Sequence, residues 1–506
     1  VPDARRAVAA VDLGAASGRV VLGRLGDAGV ELELVHRFDN RPVWLPDGLH
    51  WDLQSIFVSV LHGLASAAEN AGGRLDSIGV DAWGCDYALL DEGGRMLGLP
   101  YHYRDPRTTD QVLDEVHEAV PASELYRRTG IQTMPINTVF QLASERGRAA
   151  LERAARIALI PDLIGQWLTG VAVNELTAAS TTGLLDARHG TWANDLAARI
   201  GLPAAPFAGE LTAPGCRTGE VLSAHAAAGG ATGTPLHTVG GHDTASAFVA
   251  APVTGPRCAV LSSGTWSLLG VEVDEPCLTD DAARFNFTNE RGVAGNIRLL
   301  RNVMGLWLVQ ECQRAWAAGT GRPSFQELHE LALAEESAVP LFDPDDPVLL
   351  RTGQLDMPAR IQALCGLTGS KDDGRPSVLV RAILTSLACK YRLVLERLEI
   401  VTGRSIDEIV IVGGGVENRL LCQLTADITG REVLAGPRES TALGNVLVQA
   451  LALGEADDVR ALRELGRRST SLSHYEPASS AHAEETYRRF IDVTGLTAGS
   501  RTRTSV

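Results

Sequence analysis

The sequence predicts an α/β protein made of two similar domains with a catalytic cleft between them. Three observations carry that reading. Short apolar runs of strand character alternate with longer segments of helical period, the pattern that lays helices against sheets. An apolar run that ends in a polar, glycine-containing turn and is followed at once by a second apolar run occurs at residues 7–25 and again at residues 256–273. The chain is 506 residues long, more than one hydrophobic core serves. Division by about 150 residues per domain gives roughly three, but two large domains suit an enzyme of this length.

The elements follow in order. AVAAVDLG (residues 7–14) is an apolar run closed by Asp12 and Gly14. After the turn AASG, the run RVVLGRL (19–25) completes a hairpin. LQSIFVSVLHGLASAAEN (53–70) repeats its apolar residues at three and four, so a helix is predicted. SIGVDAW (77–83) is a buried strand that stops at Gly84. The segment around residues 243–256 reads as the junction of the two halves. PRCAVLSSGTWSLLGVEV (256–273) repeats the opening hairpin, which suggests an ancient duplication. NIRLLRNVMGLWLVQE reads as a helix with Leu299, Leu300, Val303, Leu306, Trp307 and Leu308 in the core. Asn296, Arg298, Asn302 and Gln310 lie around it. DEIVIVGGGVENRLLCQLTADITG (407–430) reads as strand, glycine turn and helix. Residues 466–476 read as a polar loop, HAEETYRRFIDVTGL as a last helix, and TAGSRTRTSV as a frayed end. The expected divisions are 1–247, 248–465 and a C-terminal loop, helix and tail over 466–506.

Composition narrows the function classes. Hydrophobic residues make up 45% and charged residues 21%, ordinary values for a globular chain. The net charge of -16 argues against a nonspecific nucleic-acid binder. It does not exclude an anionic substrate, because one built pocket overrides the mean field. The eight cysteines form no CxxC pair and no zinc spacing, so reduced thiols and a cytoplasmic setting are expected. The first residues lack the apolar run of a signal peptide. No stretch approaches 18 apolar residues, so no membrane span is expected.

Four turns carry candidate chemistry. Asp12 at a strand end is placed to hold a metal or its waters, and Gly14 to Arg19 can turn backbone N–H groups toward an anion. Ser262, Ser263, Gly264 and Thr265 offer hydroxyl and backbone donors between two apolar runs. Gly413, Gly414 and Gly415 permit close ligand approach ahead of a helix N-terminus. Gly240 to Thr244 place Asp243 near a helix start, where its carboxylate either takes a proton from a substrate hydroxyl or caps the helix. No GxxxxGK[ST] or GxGxxG motif occurs. Asp81, Trp83, Gly84, Asp86 and Tyr87 at a strand end make a plausible sugar surface, and Tyr101, Arg104, Asp105 and Arg107 lie in a further polar segment. Clamped phosphates, a divalent cation and a carboxylate facing an acceptor hydroxyl are the requirements of phosphoryl transfer.

AVDLGAASGRV, VDAWGCDYALLD, YRDPRT, VGGHDTASA, LSSGTWSLLG, NFTNERGVAGNIRLLRNVMGLWLVQE, IVGGGVENRLLCQLTADITG and AGPRESTALGN occur in this order. Together they resemble the FGGY carbohydrate kinases of the actin/hexokinase/Hsp70 fold group, over about residues 7–460. Within that family the chain is most similar to the branch acting on L-rhamnulose. The resemblance implies two actin-like (ribonuclease H-like) domains and a kinase of L-rhamnose catabolism, using ATP and Mg2+ to phosphorylate the ketose 1-hydroxyl. It implies that Asp243 is the catalytic base and that Trp83, Gly84, His242, Asp243, Thr244 and Asn302 face the sugar. Asp12 would place the magnesium, and Ala15, Ala16, Ser17, Gly18, Arg19, Thr265, Gln310 and Gly414 would line the ATP site. Ala82 stands where a hydroxyl residue often precedes the Trp–Gly pair, and Cys85 where an aliphatic residue is common. Other ketoses or polyols, such as L-fuculose or L-xylulose, stay open as acceptors. So do a phosphatase or ATPase using water and a sugar-binding protein without turnover. The partner expected is a small ketose, with no nucleic acid and no membrane; monomer and homodimer are both open.

Overall fold

The computed structural model describes residues 6–26, 28–317, 323–335, 338–350, 356–366, 374–478 and 481–499. Two mixed sheets organise the chain. The first contains β1 (Arg6–Leu13), β2 (Ser17–Gly26), β3 (Gly29–Asp39), β4 (Ser77–Ala82), β5 (Arg217–Glu220) and β6 (Pro235–His237), in the order β5-β6-β4-β1-β2-β3. The second contains β7 (Cys258–Ser263), β8 (Trp266–Val273), β9 (Thr288–Arg291), β10 (Ile297–Met304), β11 (Glu408–Val412), β12 (Glu432–Ala435) and β13 (Ser473–Tyr475), in the order β9-β10-β8-β7-β11-β12-β13.

The sheets share one plan. β1 pairs antiparallel with β2 and parallel with β4, as β7 pairs antiparallel with β8 and parallel with β11. The duplicated hairpin of the sequence thus opens each sheet. The central strands β1 and β4 are buried almost throughout, which explains their near-continuous apolar runs. Helix α1 (Leu53–Asn70) covers the first sheet with Ile56, Val60 and Leu64. It is capped by the Asp52 carboxylate, which accepts from the Ser55 amide.

Two helices link the lobes. α2 (Asp243–Ala250) ends the first half, and α3 (Ser440–Ala452) comes late in the second. They cross where a Cβ on Gly444 would fall 1.8 Å from the Ser246 carbonyl oxygen, so only glycine permits the approach. α3 also packs on the first sheet. Asn445 Nδ2 donates to Asp81 Oδ2 at 2.6 Å, and Gln449 Nε2 donates to the Ala9 carbonyl at 3.1 Å. The late segment of the chain therefore returns to the first lobe.

Two expectations are corrected. Residues 297–304 are strand β10, not helix; the helix begins only at Trp307 and runs to Trp316. β10 is buried on both faces, so Leu299, Leu300 and Val303 leave no clean alternation, and their spacing imitates a helical stripe. Residues 466–476 are not a loop throughout. A helix runs from Val459 to Arg468, and Ser473–Tyr475 pair with β12 as an edge strand. The last helix is Ala481–Thr494; the tail from residue 500 lies outside the described residues. All eight cysteines are free thiols. Among the described residues no helix is long and apolar enough to cross a membrane.

Candidate active site

The hairpin turns of the two sheets face each other across a cavity of about 1560 Å³. Its wall includes Asp12, Ala15, Ala16, Ser17, Arg19, Trp83, Gly84, His242, Asp243, Thr244, Thr265, Asn302, Gln310 and Gly414. Residues scattered over 400 positions in sequence therefore share one cleft. Gly18 is the exception. It is buried, and a Cβ there would lie 2.3 Å from the Phe38 ring; its glycine serves packing between β2 and β3.

At the cleft floor the β ladder puts Asp12 opposite Arg19 on one side and Asp81 on the other. Arg19 Nε donates to Asp12 Oδ2 at 2.9 Å, and its guanidinium also pairs with Glu439. Burial pushes the Asp12 carboxyl up to about 6; Arg19 pulls it down, while Asp243 and Glu439 add to the rise. Burial, then the Asp12 charge, pushes Asp81 well above the carboxylate range. Its Oδ1 is buried without a hydrogen-bond partner. Acidic groups crowded in a dry site favour a hard cation with oxygen ligands. Among the described residues no three His, Cys, Asp or Glu side chains form a ready metal cage. A cation here would keep waters or substrate oxygens in its shell, as magnesium does.

The loop Gly240–His242 delivers the acid of α2. Ala82 N–H donates to the Gly241 carbonyl at 2.9 Å. Glu175 accepts the Gly241 N–H at 3.1 Å and the Thr177 hydroxyl at 2.6 Å. Asp243 is the first residue of α2, and His242 occupies the cap position without a side-chain cap bond. The Asp243 carboxylate is therefore not spent on capping. Its Oδ1 accepts from Thr244 Oγ1 at 2.9 Å, and no described residue makes a hydrogen bond to Oδ2. The side chain is 29% exposed, toward the cavity. A carboxylate with one oxygen free suits removal of a hydroxyl proton.

Trp83 is held by Asp86, whose Oδ2 accepts the indole N–H at 3.0 Å and that of Trp51 at 2.6 Å. Trp83 thus offers the cavity ring surface, not a donor. Asp86 is fully buried and structural. Across the cleft, Asn302 sits on β10. Its backbone N–H and its Nδ2 both donate to Gln132 Oε1, at 2.8 and 3.1 Å. Gln132 of the first lobe and Glu290 of the second also line the cavity. Neither was singled out from sequence, because Gln132 meets Asn302 from far along the chain and Glu290 meets Arg298 and His242 only once the strands have paired. Arg298 was noted, but on an expected helix.

The three glycines after β11 divide their work. A Cβ on Gly415 would meet Ser263 Oγ at 2.0 Å, and Gly413 has φ 86° against the Ser263 carbonyl. These two let β11 pass the second hairpin. Gly414 has nothing within 4 Å of its missing Cβ and opens on the cavity.

This architecture agrees with the comparisons. The N-terminal domain model of the FGGY family of carbohydrate kinases matches residues 8–250, and its C-terminal domain model matches residues 259–453. The chain belongs to that family. It is 39% identical over 483 residues to a rhamnulokinase of Bacteroides thetaiotaomicron, covering 95% of this chain and 98% of the relative. It is 37% identical to a rhamnulokinase of Bacillus subtilis, covering 92% of this chain and 95% of that one. Among solved structures, a gluconate kinase from Lactobacillus acidophilus superposes with a TM-score of 0.78 at 17% identity, covering 98% of this chain and 99% of that one. A Plasmodium falciparum glycerol kinase with ADP gives 0.75 at 15% identity, covering 96% and 97%. These structural likenesses speak to the fold, which is that of two-lobed sugar kinases.

Proposed function

We propose that the protein transfers the γ-phosphoryl group of ATP to the 1-hydroxyl of L-rhamnulose, giving L-rhamnulose 1-phosphate and ADP. The observation that carries the reaction type is Asp243, which lines the cleft at the head of α2 with one carboxylate oxygen free of hydrogen bonds to the described residues. The sugar is supported by the rhamnulokinase relatives, 37 to 39% identical across nearly the whole chain.

In this reading the ketose lies between Trp83, Gly84, His242, Thr244 and Asn302. Trp83 gives its ring face to sugar C–H groups, while the polar residues orient the hydroxyls. Asp243 Oδ2 takes the proton of the attacking hydroxyl. ATP lies along Ala15 to Ser17, Arg19, Thr265, Gln310 and Gly414, where the hairpin N–H groups face its phosphates and Gly414 leaves room for close approach. Asp12 would hold magnesium, directly or through water. The metal would neutralise charge on the transferring phosphate oxygens. Arg19, clamped between Asp12 and Glu439, fixes the floor of this subsite. Much of the catalysis then comes from positioning and preorganised donors.

The test is ADP formation with magnesium and ATP over a panel of ketoses and polyols that includes L-rhamnulose, L-fuculose and L-xylulose. A kcat/KM highest for L-rhamnulose is expected. A higher value for another sugar would overturn the substrate and keep the reaction type. ADP release indifferent to every sugar would overturn both.

A further inference from the structure

Behind the sugar end of the cleft lies a charged string that neither the phosphate nor the metal subsite uses. Arg298 on β10 is fully buried, and Glu290 on the neighbouring strand β9 is 4% exposed. Their side chains pair at 3.0 Å. The guanidinium also lies 5.7 Å from the Phe248 ring on α2 and donates through Nη2 to His242 Nδ1 at 3.3 Å. Glu290 Oε2 stands 3.2 Å from the same nitrogen but makes no aligned hydrogen bond.

This arrangement decides the histidine. A guanidinium is always protonated and only donates. When it donates to Nδ1, the ring proton sits on Nε2. Nε2 is 3.4 Å from Asp243 Oδ1, the oxygen that Thr244 already holds. Oδ1 is thus held by the Thr244 hydroxyl with the His242 ring beside it, an ion-pair approach and not an aligned hydrogen bond, and Oδ2 is left for the substrate. Burial pushes the Glu290 carboxyl up and the Arg298 guanidinium beside it pulls it down, and it lies below its usual range. Glu290 is the counter-charge that makes a buried guanidinium tolerable here.

We propose that Arg298, neutralised by Glu290, is a positioning residue for the phosphoryl-transfer base: it sets the tautomer and pose of His242 and through it the orientation of the Asp243 carboxylate. The device spans the lobes, because Arg298 and Glu290 belong to the second sheet while His242 and Asp243 open α2. It rests on the reading of Asp243 as the base.

The test uses the double variant Arg298→Met/Glu290→Met, which removes both charges together and leaves none unpaired in the interior. Kinetics are measured with the ketose that the wild-type protein turns over fastest, alone and in a His242→Asn background. Displacing the carboxylate by a fraction of an ångström lowers kcat by roughly 10- to 100-fold. The KM for ATP is expected to stay within about twofold, because the string does not reach the phosphate turns. In the His242→Asn background the double variant is expected to cost nothing further, since its effect passes through His242. An unchanged kcat, a matching rise in the KM for ATP, or losses that multiply in that background would each overturn the proposal. If the double variant lacks a cooperative unfolding transition, Arg298→Lys decides by the same criteria, because it keeps the charge opposite Glu290 and loses the planar fork. Asp243→Asn is run alongside; full turnover there would sink the base assignment itself, a distinguishable failure.

Discussion

Gly413, Gly414 and Gly415 look alike in sequence and differ in what surrounds them. A methyl group on Gly415 collides with Ser263, whereas one on Gly414 meets only the cavity. Gly415→Ala is expected to destabilise the fold by about 1 to 3 kcal/mol, read by denaturant unfolding. Gly414→Ala is expected to leave that transition in place and raise the KM for ATP. Equal stability losses in both variants would contradict the division of roles. The sequence supports glycine at all three positions, but the clash is with a hairpin some 150 residues away in the chain, which no local pattern reveals. The same holds at Asp243. A helix start was legible; that its carboxylate is released from capping required the coordinates of His242 and Thr244.

At the scale of elements, the hairpins that open both sheets were legible because each joins two buried strands through a glycine turn. Helix α1 was legible to its ends, Leu53 and Asn70, because its period is clean and Asp52 caps it. Strand β10 was not. A strand buried on both faces carries no alternation, and its polar members, Arg298 and Asn302, point to partners, Glu290 and Gln132, in other segments. The edge strand Ser473–Tyr475 is too short and too exposed for any pattern. The crossing of α2 and α3 also depends on a single position. Gly444→Ala would drive a methyl group into the Ser246 carbonyl and is expected to cost about 3 kcal/mol, with loss of turnover in proportion to the unfolded fraction. An unchanged unfolding midpoint would contradict a tight crossing.

For the whole molecule, the two sheets repeat one plan and turn matching hairpins toward each other, so one cleft collects groups from both. The cavity of about 1560 Å³ exceeds the roughly 300 to 1,000 Å³ of a usual single-ligand pocket. It has room for nucleotide and sugar together, and in the proposed reading Asp243 is a base toward the sugar and not a nucleophile. Direct transfer within a ternary complex follows. Initial rates with both substrates varied are expected to give intersecting double-reciprocal lines; parallel lines would mean a phosphorylated enzyme and contradict the account. The central claim is that one carboxylate at the head of α2 activates the acceptor. The most direct measurement is the turnover of Asp243→Asn, with binding of magnesium–ATP and of the ketose measured on the same preparation. The account predicts both ligands bound and kcat reduced by about 10²- to 10⁴-fold. Both ligands bound with kcat at the wild-type level would contradict it.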